Sequence, residues 1–401
     1  MSCHPSSTTP NPNPNPNPNP STTTPVPLLA ASTPTDAAWL AQLDTIIFDC
    51  DGVLWLGEQS IPGAIPTLHA LRAQGKKILF LTNNASKSRA TYAQKLAKLG
   101  FPVDPTHIVG AASVAAAFLA EHLPTVHHHH RPSDGLVQAS TTTTTTTTTR
   151  CDDAPPRPHP SSSLSSPSFP AYSPSPSDDP DPSTAPVVYA VGDVGLEEEL
   201  DAHGVAWIGG RAATESPYLS LSEQEGLELD RRVRAVVVGH DPRFSFRKLC
   251  LASMYLREHP GCLFVGTNPD HGDIIGTGGR RRSMPGTGAL LRAVEVAAGR
   301  GAEVVGKGGG PYLLEYLRKQ HEVEVGRCLM VGDRLDTDVA FGKGAGMRTL
   351  LVLSGVSGME DLAACGVEER PDRWAPGISH LVAAEEKREG AAGEGVEKTK
   401  R

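Results

Sequence analysis

Residues 45–55 read Thr-Ile-Ile-Phe-Asp-Cys-Asp-Gly-Val-Leu-Trp, a β-branched apolar run that breaks abruptly into two aspartates and a glycine. A short unbroken apolar run of this kind suits a strand buried on both faces, and Asp49-Cys50-Asp51 falls where the chain leaves the sheet. Three further segments repeat the pattern. Residues 78–81 run into Thr82-Asn83-Asn84, 303–305 into Gly306-Lys307, and 328–331 into Gly332-Asp333 with Asp338 beyond. In an open parallel sheet, ligands sit at the carboxyl ends of the strands, so the four endings are expected to converge on one pocket.

Around these segments, apolar runs at 187–191, 235–238, 262–265 and 349–353 alternate with helical periodicity at 92–99, 114–123, 290–298 and 312–320. Strands alternating with helices imply βαβ units, hence an α/β protein with a doubly wound, mainly parallel, Rossmann-like sheet. Three stretches break the pattern. Residues 1–36 carry an Asn-Pro repeat, 125–186 carry His127 to His130, nine threonines (Thr141 to Thr149) and a Pro/Ser-rich run, and 386–401 are rich in Gly, Glu and Lys. Such composition cannot bury enough apolar surface to offset the entropy of ordering, so a disordered leader, a low-complexity insertion and a loose tail are expected.

The chain has 401 residues and a formal charge of -8. Its one compact basic run, Arg280-Arg281-Arg282, has no aromatics interleaved, which argues against a nucleic-acid partner. Seven cysteines without a CxxC pair suit a reducing compartment, and no apolar run approaches a bilayer-spanning length. The cytosol is the expected location; a Ser/Thr-rich plastid leader is the other reading of the N-terminus.

The four endings gather carboxylates, a hydroxyl and a lysine, a set that suits Mg2+ and a phosphoryl group, since Mg2+ takes oxygen ligands from one or two carboxylates plus phosphate. A lone D-x-D is common on surfaces; here it closes one apolar run and precedes another. One carboxylate can attack phosphorus while the other handles protons. The Thr82 hydroxyl and the amides after it can donate to phosphate oxygens, although a Thr at a strand end is often a turn residue only. Lys307 can neutralise charge on the attacking carboxylate and on the phosphoryl group. Residues 301–307 also spell G-x-x-x-x-G-K, but Gly308 stands where a phosphate-binding loop needs Ser or Thr, and the apolar run lies inside the motif. Three acidic residues between 333 and 338 repel one another unless a cation compensates.

The phrases at 48–55, 81–84 (Leu-Thr-Asn-Asn) and 330–338 (Met-Val-Gly-Asp-Arg-Leu-Asp-Thr-Asp) strongly resemble haloacid dehalogenase-type phosphatases, nearest the branch of 4-nitrophenylphosphatases, phosphoglycolate (glycerol 3-phosphate) phosphatases and pyridoxal phosphatases. The resemblance covers about 37–124 and 187–385. It implies that Asp49 is the nucleophile forming an aspartyl-phosphate, and that Asp51 protonates the leaving alcohol and then activates water. It implies Mg2+ on the Asp49 carboxylate, the Asp51 carbonyl and Asp333, with Asp338 in support. Thr82, Asn83 and Lys307 would hold the phosphoryl oxygens, with Asn84 beside them. Core segments at 37–124 and 285–385 would flank a cap at 187–284, and homodimerisation would run through that cap.

Residues 238–246 look like the family's substrate-specificity loop, with Arg243 where relatives often carry histidine. An arginine there can pair with a distal carboxylate such as that of 2-phosphoglycolate. The expected partner is thus a small phosphorylated metabolite, with pyridoxal phosphate or a phosphoprotein as alternatives. A non-catalytic interaction protein is the reading from another class. Relatives usually follow the motif lysine with Pro; Gly308-Gly309-Gly310 before Pro311 suggests a looser loop. Cys50, beside the nucleophile, reads either as an oxidant-sensitive thiol or as a buried inert one.

Overall fold

The computed structural model describes residues 26–30, 33–123, 184–212, 216–259, 261–275 and 282–382. The histidine and threonine runs, almost all of the expected insertion and the tail lie outside these residues.

Two all-parallel sheets organise the chain. The larger has six strands in the order Arg373–Ala375, Arg348–Val352, Cys328–Gly332, Thr45–Phe48, Lys77–Thr82 and Ile108–Gly110. The strands carrying Asp333, Asp49 and Thr82 are therefore adjacent at its centre. All four residues of Thr45–Phe48 are buried because helices cover both faces. The pleat sends Ile46 and Phe48 into a core with Phe80, Leu329, Val331 and Leu68, and sends Ile47 to the other face with Leu79, Val109 and Met330.

That second core continues through the helices Ala111–His122 and Tyr312–His321 to Val188, Ala190, Ala235 and Val237 of the smaller sheet. The smaller sheet has five strands in the order Glu303–Val304, Leu263–Gly266, Val233–Val238, Val187–Val191 and Trp207–Gly209. The helices Phe246–Glu258 and Thr287–Ala298 close its outer face, over Tyr189, Val236 and Val238. Among the described residues, no helix is long and apolar enough to cross a membrane.

Two expected boundaries move. The smaller sheet takes its edge strand from Glu303–Val304, well past residue 284, so the chain following that boundary still belongs to the cap layer. At the other end, Leu29 is fully buried and its N–H donates to Trp374 O at 2.8 Å, while Pro34–Ala41 is a helix capped by Thr33. The last part of the expected leader is thus folded: Leu29 belongs to the core of the larger sheet and Val26 packs on the cluster of Val339, Leu351 and Leu362.

Candidate active site

Asp49 extends the central strand by one residue, its N–H donating to Val331 O at 2.8 Å. The chain then turns away. Gly52 sits at φ +88°, and a Cβ there would lie 2.3 Å from Asp333 Oδ2, so close approach and backbone conformation both require glycine. Asp51 is exposed and its Oδ1 accepts from the Trp55 indole N–H at 2.8 Å. The two aspartates differ accordingly: Asp49 is buried at the strand end, and Asp51 is held at the rim.

Asp333 follows the neighbouring strand, and the next residues form a wide helical turn, Leu335–Val339, that brings Asp338 back over it. Asp338 Oδ2 accepts from the N–H groups of Asp333 and Arg334, each at 3.1 Å. Lys307 Nζ donates to Asp49 Oδ1 and Asp338 Oδ1, each at 2.6 Å, and to Leu81 O at 3.3 Å. Asp49, Asp333 and Asp338 each place a carboxylate oxygen within 4.8 Å of the others.

The electrostatics of this cluster are lopsided. Three carboxylates against one ammonium give a formal charge of -2 where every partner is buried. Burial, with Asp338 alongside, pushes Asp333 up to about 7, and burial raises Asp49 well above the ordinary carboxylate range despite Lys307. Burial acts to lower the Lys307 pKa, but Asp338 and Asp49 outweigh it and the ammonium stays charged.

One buried atom remains unpaired. Asp333 Oδ2 accepts from Val356 N–H at 2.7 Å, whereas Asp333 Oδ1 has no hydrogen-bond partner. An orphaned carboxylate oxygen in a doubly negative pocket of oxygen donors fits a hard divalent cation, which would satisfy the atom and balance the charge together.

Lys307 arrives by a route the sequence did not disclose. It follows the edge strand of the smaller sheet, so three of the expected endings come from one sheet and the fourth reaches across from the other. The glycines after it are ordered by hydrogen bonds: Gly309 N–H donates to Gly306 O at 3.1 Å and Gly310 N–H to Val304 O at 2.9 Å. A Cβ on Gly309 would stand 2.1 Å from Val304 O, so this tight return depends on glycine. The loop is closed and places the lysine.

Asn83 clasps that loop. Its Oδ1 accepts from Lys307 N–H at 2.9 Å and its Nδ2 donates to Lys307 O at 3.1 Å and Asp270 Oδ1 at 3.0 Å. The side chain expected at phosphoryl oxygens is therefore engaged in positioning Lys307. Thr82 is buried beside it, its Oγ1 accepting from Asn84 N–H at 3.2 Å. Asn84 Oδ1 accepts from Ser86 N–H and Oγ, and Asn84 lines a small opening together with Asn83, His240, Asn268, Asp270 and Thr287.

Arg243 is not brought to this cluster. Its guanidinium donates to Asp193 Oδ1 at 3.1 Å and lines a different cavity. His240, three residues earlier, lines the opening instead. Asn268 and Asp270 were missed although Thr267-Asn268-Pro269-Asp270 ends a strand just as the four chosen segments do.

Cys50 is fully buried, and burial, reinforced by Asp49 and Asp51, raises its thiol well above the ordinary value. The thiolate is the reactive form, so Cys50 is the inert thiol of the two readings. Peptide mapping after N-ethylmaleimide treatment at neutral pH is expected to find the half-buried Cys250 and Cys365 labelled before Cys50, with activity retained.

A profile for haloacid dehalogenase-like hydrolases matches residues 46–140, and a second HAD-hydrolase-like profile matches 305–381. The chain is 35% identical to glycerol-3-phosphate phosphatase of Gallus gallus, over 87% of this chain and 94% of the relative. It is 32% identical to phosphoglycolate phosphatase 2 of Arabidopsis thaliana, over 85% and 92%. Its fold matches a glycerol phosphate phosphatase from Mycobacterium tuberculosis, solved in complex with magnesium, with a TM-score of 0.57 at 24% identity over 85% and 77% of the two chains.

Proposed function

The chain belongs to the haloacid dehalogenase-like hydrolases, and we propose that it is a Mg2+-dependent phosphomonoesterase acting on small phosphorylated metabolites through an aspartyl-phosphate. The observation that carries this reading is the unpaired Asp333 Oδ1 within a buried cluster of net charge -2 beside Asp49.

Mg2+ would be held by Asp333, Asp49 and the Asp51 carbonyl, and when bound it supplies positive charge to the phosphoryl oxygens. Asp338, whose two oxygens are engaged by Lys307 and by backbone N–H groups, keeps the lysine in place. The Asp49 carboxylate attacks phosphorus, a P–O bond to Asp49 forms, and the bond to the leaving oxygen breaks. Asp51, fixed by Trp55, gives its proton to the leaving alkoxide. It then takes a proton from the water that attacks the aspartyl-phosphate, which releases phosphate and restores Asp49. Lys307 balances the charge that Asp49 carries between turnovers.

The opening holds only about 10 Å³, no more than one water, and neither Asp49 nor Asp51 lines it, so a motion of the smaller-sheet layer off the larger is the expected way for substrate to enter. Arg89, which grips Glu199 from its backbone N–H at 2.7 Å and from its guanidinium at 2.9 Å, joins the two layers and would flank that motion.

The wall of the opening decides between substrates. With Arg243 turned to Asp193, it presents Asp270, His240 and three asparagines, groups that accept and donate to hydroxyls and oppose a second carboxylate. The names of the relatives include both a glycerol-3-phosphate and a phosphoglycolate phosphatase. We expect kcat/KM for glycerol 3-phosphate to exceed that for 2-phosphoglycolate by at least about tenfold, roughly 1.4 kcal/mol of transition-state binding. An advantage for 2-phosphoglycolate that Arg243→Ala removes would instead restore the sequence-based assignment of that arginine. 4-Nitrophenyl phosphate is expected to be cleaved as well, since its good leaving group needs little help from the cap.

A further inference from the structure

The cap carries a second cavity, about 170 Å³ in volume, that shares no lining residue with the opening beside Asn83. Its wall combines Arg211, Arg243, Arg247 and Lys248 with Ser216 and Ser245, and among the described residues no Asp or Glu lines it. Each of these cations meets a carboxylate that is not among the lining residues. Glu197 accepts from Arg211 at 2.8 Å, Asp193 from Arg243 at 3.1 Å and Asp241 from Lys248 at 2.5 Å, and Glu223 lies 4.0 Å from Arg247.

The cavity is thus lined by four cationic side chains, each of which also meets a carboxylate that is not among the lining residues. It also lies at the first turn of the 13-residue helix Phe246–Glu258, whose N-cap is Ser245, so the helix dipole adds positive potential at the same place. Arginine forks match the planar or tetrahedral oxygens of phosphate. The volume is ample for a group the size of a phosphate.

We propose that this cavity binds a small phosphate-type dianion at a site separate from the hydrolytic centre. The proposal rests on the cap residues alone and does not depend on the hydrolase reading. Its wiring reaches the opening through one residue. Asp241 accepts from Arg243 N–H at 2.8 Å and from Lys248, and it directly follows His240, which lines the opening. An anion that draws Arg243 and Lys248 toward itself loosens their hold on Asp193 and Asp241 and so shifts the loop bearing His240.

Calorimetric titration of the Mg2+-loaded full chain with inorganic phosphate tests the site. The wild type is expected to bind one phosphate more per chain than Ser216→Asp, which sets a carboxylate on the cavity wall at an exposed position. Arg211→Gln/Arg247→Gln is expected to lose the same phosphate, by at least a tenfold weakening. The extra phosphate should persist when Mg2+ is chelated, because none of the described residues lining its site is a carboxylate. Equal stoichiometry in the wild type and the folded Ser216→Asp chain overturns the proposal, as does loss of the extra phosphate with Mg2+.

Discussion

Lys307→Met is expected to abolish turnover and to destabilise the metal-free protein by about 3–5 kcal/mol, the usual consequence of removing one partner from a buried ion cluster. The lysine is the cation that both Asp49 and Asp338 contact, at 2.6 Å each, and it is 2% exposed. Without it three carboxylates face one another with no solvent to screen them. They must take up protons or bind a metal.

The sign of the pH response follows from this. Burial raises Asp333 from 3.8 to about 7 and raises Asp49 well above its ordinary value, so the folded state binds more protons than the unfolded one between about pH 4 and 7. A raised carboxylate pKa makes stability fall as pH rises through that window, with the penalty absent below it and complete above it. Metal-free Lys307→Met should therefore melt at a lower temperature at pH 8 than at pH 5, by a wider margin than the wild type. Mg2+ should recover more of the loss at pH 8. Thermal melts at the two pH values, with and without Mg2+, check this; a pH-independent loss would mean that the lysine acts through packing.

Asp49→Asn is expected to have the opposite signature, with activity lost by about 10⁴-fold or more and stability kept. Asparagine fills the same volume and removes one of three mutually repelling charges, lowering the formal charge of the cluster from -2 to -1. The metal-free variant should melt no lower than the wild type, and its Mg2+ affinity should fall. Melting curves and kcat/KM on one preparation give both readouts. Full biological function in Asp49→Asn would favour the interaction-protein reading.

The central strands were legible because a parallel strand covered on both faces becomes an unbroken apolar run, and its polar end then stands out. Thr45–Phe48 falls where the run predicts, and the strands leading to Thr82 and Asp333 differ from expectation by one residue at each affected end. Trp207–Gly209 and Arg373–Ala375 were not legible. Each is three residues long and mostly half-buried; Arg373–Ala375 lacks an apolar run, and the run Val205-Ala206-Trp207-Ile208 was not singled out. Ile108–Gly110 merges with the alanine-rich helix that follows it.

The site was legible in its residue types more than in its wiring. Asp49, Asp333, Asp338 and Lys307 meet as expected, but nothing in Glu303-Val304-Val305 tells which sheet the run joins, since short apolar runs carry no partner information. Arg243 and His240 lie in one loop, and the sequence does not tell that Arg243 pairs with Asp193 while His240 lines the opening.

The most direct test of the account is to quench the Mg2+-loaded enzyme with acid during turnover of glycerol 3-phosphate, reduce it with borohydride and map the peptide spanning residues 45–55. The account predicts homoserine in place of Asp49, the reduction product of an aspartyl-phosphate, and an unmodified peptide when Mg2+ is chelated. Turnover with Asp49 unmodified at every quench time, or with phosphate carried by another residue, would contradict it.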